Sequence, residues 1–303
     1  MNPSSLKLKA GGADLYVGPA GWSYEDWKGI VYPASPPRGY RHLEFLSRYF
    51  NCVEVNSSFY NPPNPRYAAR WVEDVAGRPD FQFTAKLWQR FTHEREEWWT
   101  PREAAQFREG LAPLAAAGRL GAVVVQFPYS FHYGETAGEW LGEVVGEFRD
   151  WPLVVEVRSR DWLKDEALRC IERLGAGFCN IDQPQISGNI PLTTFAFGPV
   201  GYLRMHGRNE AAWFAGAAGE SEGETSRSTA ARDRRYDYLY SPGELDELED
   251  AIRKIAERVE RMYVVANNHY RGQAPANALQ LMGRLTGEAP AVPELLAGHY
   301  ELP

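Results

Sequence analysis

Short apolar runs and longer amphipathic stretches alternate along the whole chain. Runs rich in β-branched and aromatic residues fall at 15–18, 52–56, 81–86, 122–127, 153–157, 177–182, 201–206 and 263–267. Val123-Val124-Val125 and Leu153-Val154-Val155 are continuously apolar, the pattern of strands covered on both faces of a parallel sheet. Helical spacing falls between them, at 40–49, 66–75, 101–117, 135–148, 163–174, 243–261 and 274–285. Thr100-Pro101 and Ser241-Pro242 each place an N-cap residue before a proline at the first helical position. Eight strands, each followed by a helix or long loop, is the element count of a single (β/α)8 TIM-type barrel domain spanning 1–303. A doubly wound open sheet competes, but neither GxGxxG nor GxxxxGK[ST] occurs to supply its phosphate loop. Residues 1–13 read as an N-terminal tail. Residues 207–236, rich in Gly, Ala, Ser, Glu and Arg, break the rhythm after the seventh strand as a flexible excursion, either a lid or a disordered loop.

Composition narrows the class. Hydrophobic residues are 44% and charged residues 24% of the 303, an ordinary globular balance. The net charge is −7 and the pI near 5.5, which disfavours nucleic acid as a partner without excluding a local basic groove. Three cysteines with no CxxC argue against a zinc ribbon or a disulfide framework. The N-terminal segment lacks an apolar signal region, and no 18-residue apolar window suggests a membrane span. A cytoplasmic location is the resulting expectation, with no membrane partner and an oligomeric state that composition leaves open.

Polar residues collect at the C-terminal ends of the strands, where a barrel carries its chemistry. Glu54-Val55-Asn56, Glu156-Val157-Arg158 and Arg204-Met205-His206 each set two polar side chains on one face of a strand, two residues apart. Lys86, Gln126, Asp182 and Asn267-Asn268 close other strands. Glu54, Lys86, Glu156, Asp182 and His206 are the candidate catalytic groups. Asn56, Tyr60, His93, Gln126, Arg158, Arg204, Asn267 and Asn268, with the loop aromatics Trp22 and Tyr24, are the candidate binding groups. Lys86, Arg158 and Arg204 over a floor of acids and amides suit an anionic polar small molecule. Glu54 with Glu156 also has the makeup of a glycosidase pair. Glu54, Glu156, Asp182 and His206 have the donor atoms for a divalent metal, although no HExxH or close histidine–carboxylate motif supports one, and no cofactor motif is present.

Several blocks resemble the YecE-like DUF72 family of proteins of unknown function. They are Gly18-Pro-Ala-Gly-Trp-Ser-Tyr-Glu-Asp-Trp27, Val53-Glu-Val-Asn-Ser-Ser-Phe-Tyr60, Phe83-Thr-Ala-Lys86, Phe91-Thr-His93, Gln126-Phe-Pro128, Tyr202-Leu-Arg-Met-His-Gly-Arg208 and Asn267-Asn-His269. They run in order from about residue 15 to the C-terminus. The resemblance implies one TIM-type barrel domain and no particular reaction. Three readings stay open: an enzyme (hydrolase, lyase or isomerase) acting on an anionic or phosphorylated metabolite, a non-catalytic nucleotide or single-strand binding module, and a metal-dependent phosphodiesterase. The enzyme is favoured. In it Arg158 and Arg204 clamp the anion, Lys86 neutralises developing charge, and Glu54, Glu156 or His206 moves protons.

Overall fold

The computed structural model describes residues 6–186, 188–211 and 236–303. In chain order the elements are β1 (Leu8–Ala10), β2 (Ala13–Pro19), α1 (His42–Leu46), β3 (Cys52–Val55), α2 (Pro65–Asp74), β4 (Gln82–Lys86) and α3 (Pro101–Ala116). They continue as β5 (Leu120–Gln126), α4 (Glu135–Phe148), β6 (Leu153–Glu156), α5 (Asp165–Arg173), β7 (Gly177–Asp182) and β8 (Val200–Met205). The last are α6 (Pro242–Ala256), β9 (Arg261–Ala266), α7 (Gln273–Thr286) and α8 (Glu294–Ala297). Both expected proline starts carry full capping boxes, Thr100 with Glu103 and Ser241 with Glu244, which satisfy orphan amides at each helix start. The helix expected over 243–261 is shorter, because Arg261 already opens β9. Within the expected tail, β1 pairs antiparallel with β2 across Gly11 and Gly12, both at positive φ, the tight turn such a hairpin needs. Most of the 207–236 excursion lies outside the described residues, as do Trp213 and Phe214. Among the described residues no helix is long and apolar enough to cross a membrane.

The nine strands form one mixed α/β sheet in the order β1-β2-β9-β8-β7-β6-β5-β4-β3, parallel except for β1. The sheet curls into a half-barrel that brings β2 and β3 back beside each other. They meet at one parallel bridge, Ala20 to Glu54, and Gly21 donates its amide to the Glu54 carbonyl at 2.9 Å. Alternation then sorts the side chains. Val53, Val55, Ala85, Val123, Val125 and Val157 pack outward in an apolar layer shared with the helices. Cys52, Val124, Val154, Cys179, Ile181 and Tyr202 belong to a separate inner cluster. That packed inner layer forms the base on which the polar strand ends sit.

Candidate functional site

The site begins with Arg204, fully buried on β8 and two residues beyond the inward-facing Tyr202. Its Nη2 donates to Glu54 Oε1 at 2.7 Å and its Nη1 to Glu156 Oε2 at 2.6 Å. Beneath it the Tyr202 hydroxyl donates to Glu54 Oε2 at 2.9 Å and lies 2.7 Å from Thr84 Oγ1. Arg158 donates from Nη2 to Glu156 Oε1 at 3.0 Å. Removing charges from water is costly, and here the cost is met by pairing and hydrogen bonding each one. Burial works against charge on Arg204, yet Glu156 and Glu54 hold its protonation far above the ordinary range. Burial likewise opposes ionisation of Glu156, but Arg204, His206 and Arg158 hold its carboxyl well below the usual value.

A second chain of contacts fixes His206. Asn56 Nδ2 donates to Asn267 Oδ1 at 3.4 Å, and Asn267 Nδ2 lies 3.0 Å from His206 Nδ1. That leaves Nδ1 as an acceptor, so the proton belongs on Nε2. Nε2 stands 3.3 Å from Glu156 Oε1, outside good hydrogen-bonding geometry. Burial, reinforced by Arg204 and Arg158, brings His206 down to about 3 despite Glu156. It is a neutral imidazole at neutral pH.

Above this cluster opens a cavity of about 690 Å³. Strand ends contribute Lys86, Gln126 and Arg204, the residues just beyond them Asn56, Arg158 and Asn267, and the loops Trp22, Tyr24 and Tyr60. Lys86 ends β4, two residues after the inward Thr84, so it shares that direction. Its Nζ sits 3.8 Å above the centre of the Phe59 ring, and Phe59 also takes His93 edge-on at 4.9 Å. Burial, together with Arg204 and Arg158, brings the Lys86 amine down to about 7 despite Glu156 and Glu54. Burial and Lys86 likewise take His93 down to about 3. His93 bonds Thr92 at 2.8 Å and is not part of the cavity wall.

Besides His93, two expected residues, Asp182 and Asn268, do not line the cavity, and Glu54, Glu156 and His206 lie buried beneath it. On β7 the inward positions are Cys179 and Ile181, so Asp182 takes the opposite face. There it accepts from Arg208 Nε at 3.0 Å and from the Tyr240 hydroxyl at 2.6 Å. Asn268 alternates away from Asn267 and donates to the Tyr238 carbonyl and to Asn277 Oδ1, both at 2.8 Å. Loss of Asp182 shrinks the donor set considered for a metal to Glu54, Glu156 and His206. Among the described residues no group of three His, Cys, Asp or Glu is placed to share an ion. Other wall residues were not singled out from the sequence: Trp71 from α2, Tyr236, and His269, which stacks on Tyr24 at 4.4 Å. Tyr202 and Thr84, the supports of Glu54, lie within the blocks that carry the resemblance, but nothing in their residue type marks them apart from ordinary strand residues.

The comparisons agree with this architecture. A family model described as "Protein of unknown function DUF72" matches residues 16–298. UPF0759 protein YunF of Bacillus subtilis (strain 168) is 27% identical over 280 residues, spanning 88% of this chain and 93% of the relative. UPF0759 protein YecE of Escherichia coli (strain K12) is 30% identical over 136 residues, 44% of this chain and 46% of the relative. The crystal structure of a DUF72 family protein from Thermotoga maritima MSB8 superposes with a TM-score of 0.74 at 33% identity. It covers 89% of this chain and 98% of that one. A DUF72 family protein from Enterococcus faecalis V583 shares the fold, with a TM-score of 0.75 at 22% identity over 92% of this chain and 98% of that one. With the match running over nearly its whole length, the chain belongs to the DUF72 family.

Proposed function

We propose that the chain is a cytoplasmic enzyme on a closed (β/α)8 barrel, with its long excursion after the seventh parallel strand. In this reading it binds an anionic, polar or phosphorylated small molecule at the C-terminal mouth and acts on it by proton transfer. The observation that carries it is the charge balance of the cavity floor. Lys86, Arg158 and Arg204 line the cavity, with the buried carboxyls of Glu54 and Glu156 beneath them; the two acids on its wall, Glu25 and Asp26, are engaged elsewhere, Glu25 by Lys28 and Asp26 by the Arg271 amide. Arg204 spans both carboxyls and Arg158 shares Glu156. Lys86 has no carboxylate at ion-pair distance among the described residues. With Lys86 protonated, the floor holds one cation more than the acids paired there neutralise, and a bound anion would supply the missing charge and favour that protonated form. Three free cysteines suit a reducing compartment. The test is thermal unfolding with phosphate or sulfate at constant ionic strength. A ligand at about a hundred times its Kd stabilises the native state by about 2.7 kcal/mol, so the melting temperature should climb with phosphate. Lys86→Met and Arg158→Gln should each blunt that rise. An unchanged melting temperature in the wild-type protein would remove the anion from the reading.

A non-catalytic nucleotide-binding module is the second reading. It draws on the aromatic wall of Trp22, Tyr24 and Trp71 beside the cations, since aromatic faces stack bases. It predicts nucleotide binding without turnover.

A further inference from the structure

We propose that Lys86 is a nucleophile that forms an imine with the carbonyl carbon of a short, anionic aldehyde or ketone held in the cavity. The inference rests on the anion-cavity reading above and names its substrate class. The chain has six lysines. Lys7, Lys9, Lys28, Lys164 and Lys254 are exposed, whereas Lys86 is half-buried and lines the cavity. Its Nζ rests on an aromatic face, with no carboxylate at ion-pair distance among the described residues to fix it as an ammonium. The charged and titratable groups facing it are Arg204 from β8, Glu54 from β3, Glu156 and Arg158 from β6 and the residues just after it, and His93 from the loop after β4. Arg158 and Arg204 both line the cavity. Arg204 keeps its Nε, buried and without a hydrogen-bond partner, after its other nitrogens are spent on Glu54 and Glu156. An anionic group held there would bring a nearby carbonyl carbon within reach of the amine. Burial and these cations also hold the amine near 7. Roughly half of it is then the free base at neutral pH, against roughly one part in a few thousand for an ordinary lysine.

The chemistry closes without a co-reactant. The nitrogen lone pair forms the new C–N bond as the carbonyl π pair moves to oxygen. Both amine protons then leave with that oxygen as water, giving the C=N bond. Uptake of one proton from solvent on that nitrogen gives an iminium cation, which acidifies the adjacent carbon, the use such adducts serve in isomerisation and carbon–carbon cleavage.

The experiment is reductive trapping of the intact protein at pH 7 with cyanoborohydride, read by peptide mass spectrometry and normalised to urea-unfolded protein. Two carbonyl probes are used: formaldehyde, which needs no anion site, and dihydroxyacetone phosphate, which does. The expected result is modification of Lys86 at least about tenfold faster than of the five exposed lysines with either probe. Inorganic phosphate should slow only the second probe. Labelling by formaldehyde that spares Lys86 overturns the proposal. So does labelling by formaldehyde alone, because the claim is of an imine to an anionic carbonyl. A phosphate-dependent rise in melting temperature that persists when trapping fails leaves the anion cavity standing and removes only the imine.

Discussion

At the scale of single residues, the most consequential group is a guanidinium withdrawn almost wholly from solvent. Arg204 is tolerated because Glu54 and Glu156 meet it at 2.7 and 2.6 Å, and each acid has a second donor, Tyr202 for one and Arg158 for the other. Truncating it would strand two buried carboxyls, a defect that typically costs about 3–5 kcal/mol. For that reason Lys86 and Arg158 make better probes of ligand binding than Arg204. The same burial sets the response to acid. His206 and His93 each fall from 6.5 in the unfolded chain to about 3 in the fold. Between those values the unfolded chain binds protons that the native protein refuses, so the stability these two histidines contribute is complete above about 6.5 and is lost as pH falls toward 3. Glu156, held low by Arg204 after burial is opposed, pulls in the same direction, while the raised carboxyl of Asp182 pulls weakly the other way. One such proton changes the unfolding free energy by about 1.4 kcal/mol per pH unit. Urea titrations from pH 7 to pH 4 should show a steep fall for the wild-type protein. In His206→Gln the slope should be shallower by about one proton, and an unchanged slope would show that His206 titrates normally.

At the scale of elements, strand alternation decides which strand ends serve the cavity. In Glu54-Val55-Asn56, Glu156-Val157-Arg158 and Arg204-Met205-His206 the central apolar residue packs against the helix layer, so its neighbours turn inward. This much was legible in the sequence, because period-2 alternation puts the two polar members of each triplet on one face. Asp182 shows where such reading stops. It ends a strand just as Lys86 does, but Cys179 and Ile181 claim the inward positions of β7, and all six residues of that strand are buried. Asn180-Ile181-Asp182 repeats the polar–apolar–polar pattern with the opposite orientation, Ile181 facing inward and Asn180 held by the Phe195 carbonyl and the Thr193 hydroxyl, so the pattern alone does not tell the two faces apart. Trp71 and His269 were hidden for a different reason, since a helix and a loop deliver them and no strand pattern marks them. Strand β1 is only three residues long, too short for a pattern. Asp182 instead ties the segment after β8 to the start of α6: Arg208 bonds Asp182 and Glu247, and the Tyr240 hydroxyl donates to Asp182 and accepts from the Gly207 amide. Asp182→Asn weakens a charge-assisted contact to Arg208, a class of bond worth about 1.5–3 kcal/mol. Chemical denaturation should register that loss, while the phosphate-dependent rise in melting temperature should remain. A variant that keeps its stability but loses the phosphate response would return Asp182 to the binding site.

At the scale of the whole molecule, the cavity depends on how the two ends of the curled sheet meet. One wall comes from the loop after β2 (Trp22, Tyr24) and the other from the end of β3 and beyond (Asn56, Tyr60), yet a single backbone bridge joins β2 and β3. Two side-chain features make up the rest. Asn51, just before β3, acts as a substitute peptide group: its Oδ1 accepts the Val17 amide at 2.8 Å, and its Nδ2 donates to the carbonyls of Leu15 at 2.8 Å and Leu6 at 3.1 Å. Gly18 permits the approach, because a Cβ there would lie 1.8 Å from the Cys52 carbonyl oxygen. Asn51→Ala leaves a buried amide and a buried carbonyl without partners, at about 1–3 kcal/mol for each group. Its effect should be local as well as global: amide exchange at Val17 should accelerate, and phosphate should stabilise the variant less, because the walls carrying Trp22 and Asn56 are no longer held in register. Asn51→Asp keeps the acceptor for Val17 and loses both donated bonds, so it should protect the Val17 amide better than Ala does while still lowering the melting temperature. If Val17 exchanges as slowly in Asn51→Ala as in the wild-type protein, packing of the apolar layers closes the sheet and the asparagine is incidental.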